Sequence, residues 1–177
     1  NLNKMNEARK LIEKAMEIDK LNPEVYIYRG NLLLKLGELD AAVNSYDAAI
    51  ALGPTKYRAY VGKGNALEKL DKNDEAITNY DKAIELKINN PVAYYYKGNA
   101  LQQLKQHSDA IKSYDLAIAL KSDNPDVPVR REISVKYLKE AEEEIMRNHA
   151  EKEALARQAE IEARKFEAKE RKLARKK

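Results

Sequence analysis

His107 and His149 are the two histidines of a chain with no cysteine, so thiolate metal sites, disulfides and thiol nucleophiles are excluded. Neither histidine has a second ligand or a catalytic base at a spacing that helices or turns would bring together. Gly62-Lys63-Gly64-Asn65 has the outward look of a phosphate-cradling loop. It lacks the longer glycine spacing, the following Ser or Thr and a preceding strand, and its glycines suit close helix packing instead. The expectation is a protein that is not an enzyme and requires no cofactor and no metal. Binding chemistry remains. Asn31, Asn65 and Asn99 recur every 34 residues. A carboxamide both donates and accepts, so a ladder of them can hold an extended peptide backbone whatever its side chains. The same groups could instead bond across helices inside the scaffold.

That spacing belongs to a repeat, which sets the elements around it. Segments beginning at Pro23, Tyr57, Pro91 and Pro125 lie 34 residues apart, and Gly30, Gly64 and Gly98 immediately precede the three asparagines. Ala42, Ala76 and Ala110 share the register, as do Tyr46, Tyr80 and Tyr114, then Ala49, Ala83 and Ala117. Ala42, Tyr46, Ala49 and Ile50 fall on one helical face, and each repeat divides into two short helices. Helices this short are marginal alone and must stack. The predicted fold is all-α, a solenoid of paired antiparallel helices followed by a long charged C-terminal helix. Its expected parts are the second helix of a truncated repeat (1–22), repeats over 23–56, 57–90 and 91–124, a capping helix (125–146) and a long charged helix (147–177). Asn22, Asn90 and Asn124, each before a proline, are expected N-caps, as are Asp40, Asp74 and Ser108 for second helices; Gly37 is an expected helix stop. The repeat pattern is expected to end at Pro125, with Val129, Ile133, Val135, Tyr137, Leu138, Ala141 and Ile145 covering the last repeat's apolar edge.

These residues resemble the tetratricopeptide repeat family: an early aromatic (Tyr26, Tyr60, Tyr94), a glycine four residues on, and the Ala–Tyr–Ala of the second helix. The resemblance covers about residues 5–124 and identifies the chain as the C-terminal part of a longer array, about three and a half repeats. Two departures stand out. Arg29, Lys63 and Lys97 occupy a usual Leu position, and the usual loop proline survives only as Pro54. The resemblance implies that each first helix lines a concave groove, where it places Tyr28, Asn31, Lys35, Arg58, Asn65, Lys69, Tyr95, Tyr96, Asn99 and Arg130 against a partner. It also implies how chaperone C-termini are held in some members, by a clamp of lysines and asparagines. Here Ile27, Val61 and Tyr95 take the first lysine position, so the clamp is absent. The function implied is a scaffold or adaptor that binds other proteins and serves as a structural subunit of a larger complex, with the long helix docked on a partner.

The net charge of +4 is uneven. Arg164, Lys165, Lys169, Arg171, Lys172, Arg175, Lys176 and Lys177, against Glu167 and Glu170, make the last 14 residues +6 and leave −2 for the rest. Between them, Glu143–Arg147, Glu153–Arg157, Glu160–Arg164 and Glu167–Arg171 form i,i+4 pairs in the favourable order, enough to sustain a solvated helix. Leu155, Ala159, Phe166 and Leu173 outline a seam that Lys152, Glu162 and Lys169 interrupt, which disfavours a self-associating coiled coil. Three uses of this segment compete: a single helix as spacer or docked arm, a coiled coil with a different partner, and a basic arm on RNA or on an acidic surface such as tubulin tails. Two further function readings follow: a microtubule- or RNA-associated factor using the basic end, and the regulatory repeat domain of a larger enzyme. Nucleic acid is the less favoured partner, no run is apolar enough to span a bilayer, and a homo-oligomer is not required. A chain without Cys suits the cytoplasm. The run Tyr94-Tyr95-Tyr96-Lys97-Gly98-Asn99 resembles repeats abundant in ciliated protists, which makes the ciliary axoneme or another cytoskeletal assembly the alternative location.

Overall fold

The computed structural model describes residues 2–174; the side chains of residues 2–4, 6, 163 and 166–174 lie outside that description. Among the described residues there are eight helices and no strand: α1 (Leu2–Ile18), α2 (Pro23–Leu36), α3 (Leu39–Leu52), α4 (Tyr57–Lys69), α5 (Asn73–Leu86), α6 (Pro91–Gln103), α7 (His107–Ala119) and α8 (Asp126–Ala174). Two compact units divide the chain, one up to Val135 and the other from Lys136.

In the first unit each helix from α1 to α7 packs on its neighbours in chain order. The backbones of the first helices of successive repeats also approach, α2 to α4 and α4 to α6, whereas among the described residues no Cα atoms of α3 and α5, or of α5 and α7, come within 8 Å. A stack whose first helices are closer together than its second helices curves, with the first helices on the inside. The core is built from small residues around one tyrosine per repeat. Ala42, Ala49, Ala76, Ala83, Ala110 and Ala117 are fully buried, as are the rings of Tyr46, Tyr80 and Tyr114 between them.

The caps are partly those expected. Asn22 accepts from the Glu24 N–H at 3.0 Å and Asn124 from the Asp126 N–H at 2.9 Å, while Asn90 makes no such bond. Gly37 ends α2 in the left-handed conformation with φ 77°, and the Glu38 N–H reaches back to the Leu33 carbonyl. Asp71 and Lys105 occupy the same turn position at φ 59° and 60°. Asp40, Asp74 and Ser108 are not N-caps. The residues before α3, α5 and α7 are Glu38, Lys72 and Gln106, and none caps through its side chain. With a left-handed residue followed by one residue and then the helix, the turn has no room for a later cap. Asp40, Asp74 and Ser108 therefore sit in first turns, where the two carboxylates favour the helix dipole. His107 opens α7.

The start of α8 also differs from expectation. Val127 and Ser134 are fully buried, whereas Val129 is 58% and Ile133 37% exposed. Val127 stands 34 residues after Ala93 and Ser134 stands 34 after Ala100, so the repeat register continues past Pro125. That register, rather than the larger apolar residues, decides which face is covered.

In the second unit Tyr137 is 46% and Ile145 68% exposed. From Lys139 through Lys165 every described side chain is exposed. Of the expected i,i+4 pairs, Arg157–Glu153 closes to 3.7 Å and Arg164–Glu160 to 2.6 Å, and His149 adds a 3.5 Å contact to Glu153. Glu143 and Arg147 do not pair. No helix among the described residues is long and apolar enough to cross a membrane.

A candidate peptide-binding groove

The glycine before each asparagine lets a tyrosine ring lie directly on the helix backbone. A Cβ at Gly30 would meet Tyr46 at 2.6 Å and one at Gly98 would meet Tyr114 at 2.5 Å; Gly64 is equally close to Tyr80. With the ring fixed there, its hydroxyl arrives at the next residue. Tyr46 donates to Asn31 Oδ1 at 2.8 Å, Tyr80 to Asn65 Oδ1 at 2.8 Å and Tyr114 to Asn99 Oδ1 at 2.9 Å. The asparagine ladder is thus tied to a tyrosine ladder within each repeat. Burial pushes all three phenols far above the usual tyrosine range, so they act as neutral donors.

The rungs are not equivalent. Tyr80 Oη also lies 2.9 Å from Glu68 Oε2, whose other oxygen accepts from Gln103 Nε2 at 2.8 Å. A hydroxyl has one proton, and an ionised carboxylate is a stronger acceptor than a carboxamide. The single Tyr80 proton is therefore shared between Asn65 Oδ1 and Glu68 Oε2, and the Asn65 NH2 donates to the Tyr96 oxygen. Tyr114 similarly stands between Asn99 at 2.9 Å and Gln102 Oε1 at 3.2 Å, so one of these two amides presents its NH2. Asn31 is exposed and its Oδ1 accepts from Tyr46; Asn65 and Asn99 are half-buried. Burial raises the Glu68 carboxyl above its ordinary range, opposed by its bonds to Tyr80 and Gln103 and by the charges of Lys69 and Arg130.

The remaining expected groove residues fall around these rungs. Tyr28 is 55% exposed on α2, and Lys35, Arg58, Lys69 and Arg130 are also exposed. Arg58 is anchored to Glu24 at 2.6 Å, a carboxylate that also pairs with Lys56 at 3.0 Å. Those two cations hold the Glu24 carboxyl below its usual range. Tyr96 is half-buried and stacks on Tyr80 with centroids 6.0 Å apart and planes at 18°. Tyr95 is withdrawn: it is 7% exposed and its ring centroid lies 5.2 Å from that of Tyr96 and 6.3 Å from that of Tyr114. Leu34, Asn65, Glu68, Lys69 and Tyr96 enclose an open hollow of about 320 Å³. At its C-terminal end the inner face continues as Val129, Arg130 and Ile133, in the register of Tyr95, Tyr96 and Asn99. Of the basic end, Arg164 and Lys165 are exposed on α8; Arg175, Lys176 and Lys177 lie outside the described residues, as do the side chains of Lys169, Arg171 and Lys172.

Sequence reasoning missed two roles. Gly62 is where a residue of the next repeat covers the preceding tyrosine, since a Cβ there would meet the Tyr46 ring at 2.3 Å. Tyr96 does this for Tyr80. The basic residues at the usual Leu position form ion pairs across repeats: Lys63 with Asp47 at 2.7 Å, Lys97 with Asp81 at 2.6 Å and, 34 residues on, Arg131 with Asp115. The 34-residue recurrence of Asp47, Asp81 and Asp115 was the available signal.

Family models described as tetratricopeptide repeat match residues 11–44, 28–91 and 91–124. An Arabidopsis OM64 TPR domain is similar at 26% identity and TM-score 0.63, over 65% of this chain and 95% of that one. The first TPR of Spaghetti (RPAP3), solved bound to an HSP90 peptide SRMEEVD, is similar at 22% identity and TM-score 0.65, over 68% of this chain and 96% of that one. The first TPR domain of human RPAP3 gives 22% identity and TM-score 0.66, over 68% and 95%. A comparison with curated proteins finds no match.

Proposed function

Because the chain belongs to the tetratricopeptide repeat family, we propose that its role is non-catalytic: it holds an extended segment of another protein along the inner face of α2, α4 and α6. The observation that carries this reading is the hollow bounded by Leu34, Asn65, Lys69 and Tyr96, flanked by exposed Tyr28 and the amide rungs. It combines flat apolar contact with fixed donors and acceptors, as an extended peptide requires. The groove cations Lys35, Arg58, Lys69 and Arg130 outnumber the carboxylates Glu24 and Glu68, so the segment carries acidic residues. A chaperone C-terminus bound through a lysine–asparagine clamp is not favoured, since Ile27 is 2% and Tyr95 7% exposed where the clamp needs a cation. The scaffold role in a larger assembly rests on the same groove.

Peptides selected from a display library against the full chain test this. Tyr28→Ala combined with Lys69→Ala should weaken the selected peptides about tenfold or more, with helicity unchanged. Peptides that bind both proteins equally would remove the groove as the site. Asn65→Ala with Asn99→Ala is the less clean experiment, because both residues also brace the scaffold.

A further inference from the structure

We propose that the charges interrupting the seam of α8, which disfavour an in-register parallel pair, instead select an antiparallel pair of α8 with α8 of a second copy of this chain, in the register that sets Lys152 opposite Glu162 of the second copy. Ile145, Met146 and Leu155 are 68%, 73% and 70% exposed on a helix whose described side chains are all open to solvent from Lys139 through Lys165. The face that carries Ile145 and Leu155 has a heptad spacing. Leu138, Ile145, Lys152 and Ala159 follow one another every seven residues, with Ala141, Asn148, Leu155 and Glu162 three positions on.

The charges on α8 fall into two groups. Glu153 and Glu160 pair with Arg157 and Arg164 at 3.7 and 2.6 Å on the side away from these rows. Lys152 and Glu162, which lie within the rows, have no ion pair within the chain among the described residues. A parallel pair would set Lys152 on Lys152 and Glu162 on Glu162, two layers of like charge. An antiparallel pair that sets Lys152 on Glu162 also sets Leu155 on Ala159 and brings Glu151 beside Lys165 of the second copy. Sliding by one heptad in either direction breaks the Lys152–Glu162 layer, putting Lys152 against Leu155 or against Lys169; the chosen register keeps that layer and leaves Ile145 opposite Lys169. The acidic run Glu142-Glu143-Glu144 then lies across from the basic end of the sequence, which extends the complementarity beyond the seam. The seam is short of apolar residues, so the pair is weak; the charged layer fixes its register and direction.

Sedimentation equilibrium of the full chain over roughly 1–200 µM should show a monomer–dimer equilibrium that weakens as salt rises. Lys152→Glu and Glu162→Lys should each lower the dimer affinity about tenfold, and the two together should restore it. A short thiol crosslinker should join copies carrying Ala156→Cys, which sits beside the twofold axis. It should leave Ile145→Cys copies unjoined, because roughly 36 Å of helix separates them in this register. Circular dichroism of each variant verifies that the helices persist. A monomer throughout the range, failure of the double exchange to restore pairing, or equal crosslinking at the two cysteines would overturn the proposal.

Discussion

The Tyr80 hydroxyl lies within hydrogen-bond distance of Asn65 and of Glu68, whereas the Tyr46 hydroxyl bonds only Asn31. Removing the Tyr80 hydroxyl therefore strands a half-buried amide and a half-buried carboxylate, and removing that of Tyr46 leaves an exposed amide that water can satisfy. Tyr80→Phe should cost about 1–2 kcal/mol in urea unfolding and Tyr46→Phe about 0.5 kcal/mol. Glu68 adds a pH dependence. Its carboxyl is raised by burial, so the folded chain holds that proton more tightly than the unfolded one. The associated stability is present below the ordinary carboxyl range and is lost as pH rises through the raised folded value. Glu68→Gln removes the penalty and keeps an acceptor for Tyr80, as Gln102 does for Tyr114. The variant should be more stable than the parent by about 1 kcal/mol at pH 7, with the difference gone below about pH 4. The Gly–Asn–Tyr periodicity was readable in the sequence because each member recurs at one spacing. The fate of Tyr95 was not: three consecutive tyrosines look alike as letters, and successive helix positions turn them to different sides.

Helix ends show where local chemistry and repeat geometry diverge. Gly37, Asp71 and Lys105 hold the same turn, yet glycine alone takes its positive φ without a Cβ penalty. Asp71→Gly and Lys105→Gly should each stabilise the array by about 0.5–1 kcal/mol, and Gly37→Ala should destabilise it by a similar amount. Thermal melting of the three variants reads both signs; stabilisation by Gly37→Ala would contradict the turn geometry. The start of α8 was misread for a related reason. Val129, Ile133 and Tyr137 make the more apolar stripe, but Val127 and Ser134 stand in the places of Ala93 and Ala100 and inherit their burial. Pairings such as Lys97–Asp81 were equally hidden, since 16 residues separate partners on helices of different repeats.

At the scale of the whole molecule, burial predicts where the backbone opens. Hydrogen exchange should be slowest in α4, α5 and α6, which lie in the middle of the stack, and fastest in α8 beyond Lys139 at low protein concentration. Protection in α8 equal to that in α5 under those conditions would contradict the exposure seen there. The cross-repeat ion pairs are half-exposed, so each adds little stability, about 0–1 kcal/mol. Their recurrence has another effect. Lys63–Asp47, Lys97–Asp81 and Arg131–Asp115 join unlike neighbours by the same fitting, one that any copy offers on its trailing side and accepts on its leading side. At these ion pairs the parts are interchangeable: a 34-residue unit could be duplicated or excised without a new charge pairing. The coupling departs from uniformity at Gly62 and Tyr96, which cover the preceding tyrosine with bare backbone in one case and a second ring in the other. The ion pairs would survive a change of copy number, while the tyrosine covers tie each copy to its neighbour.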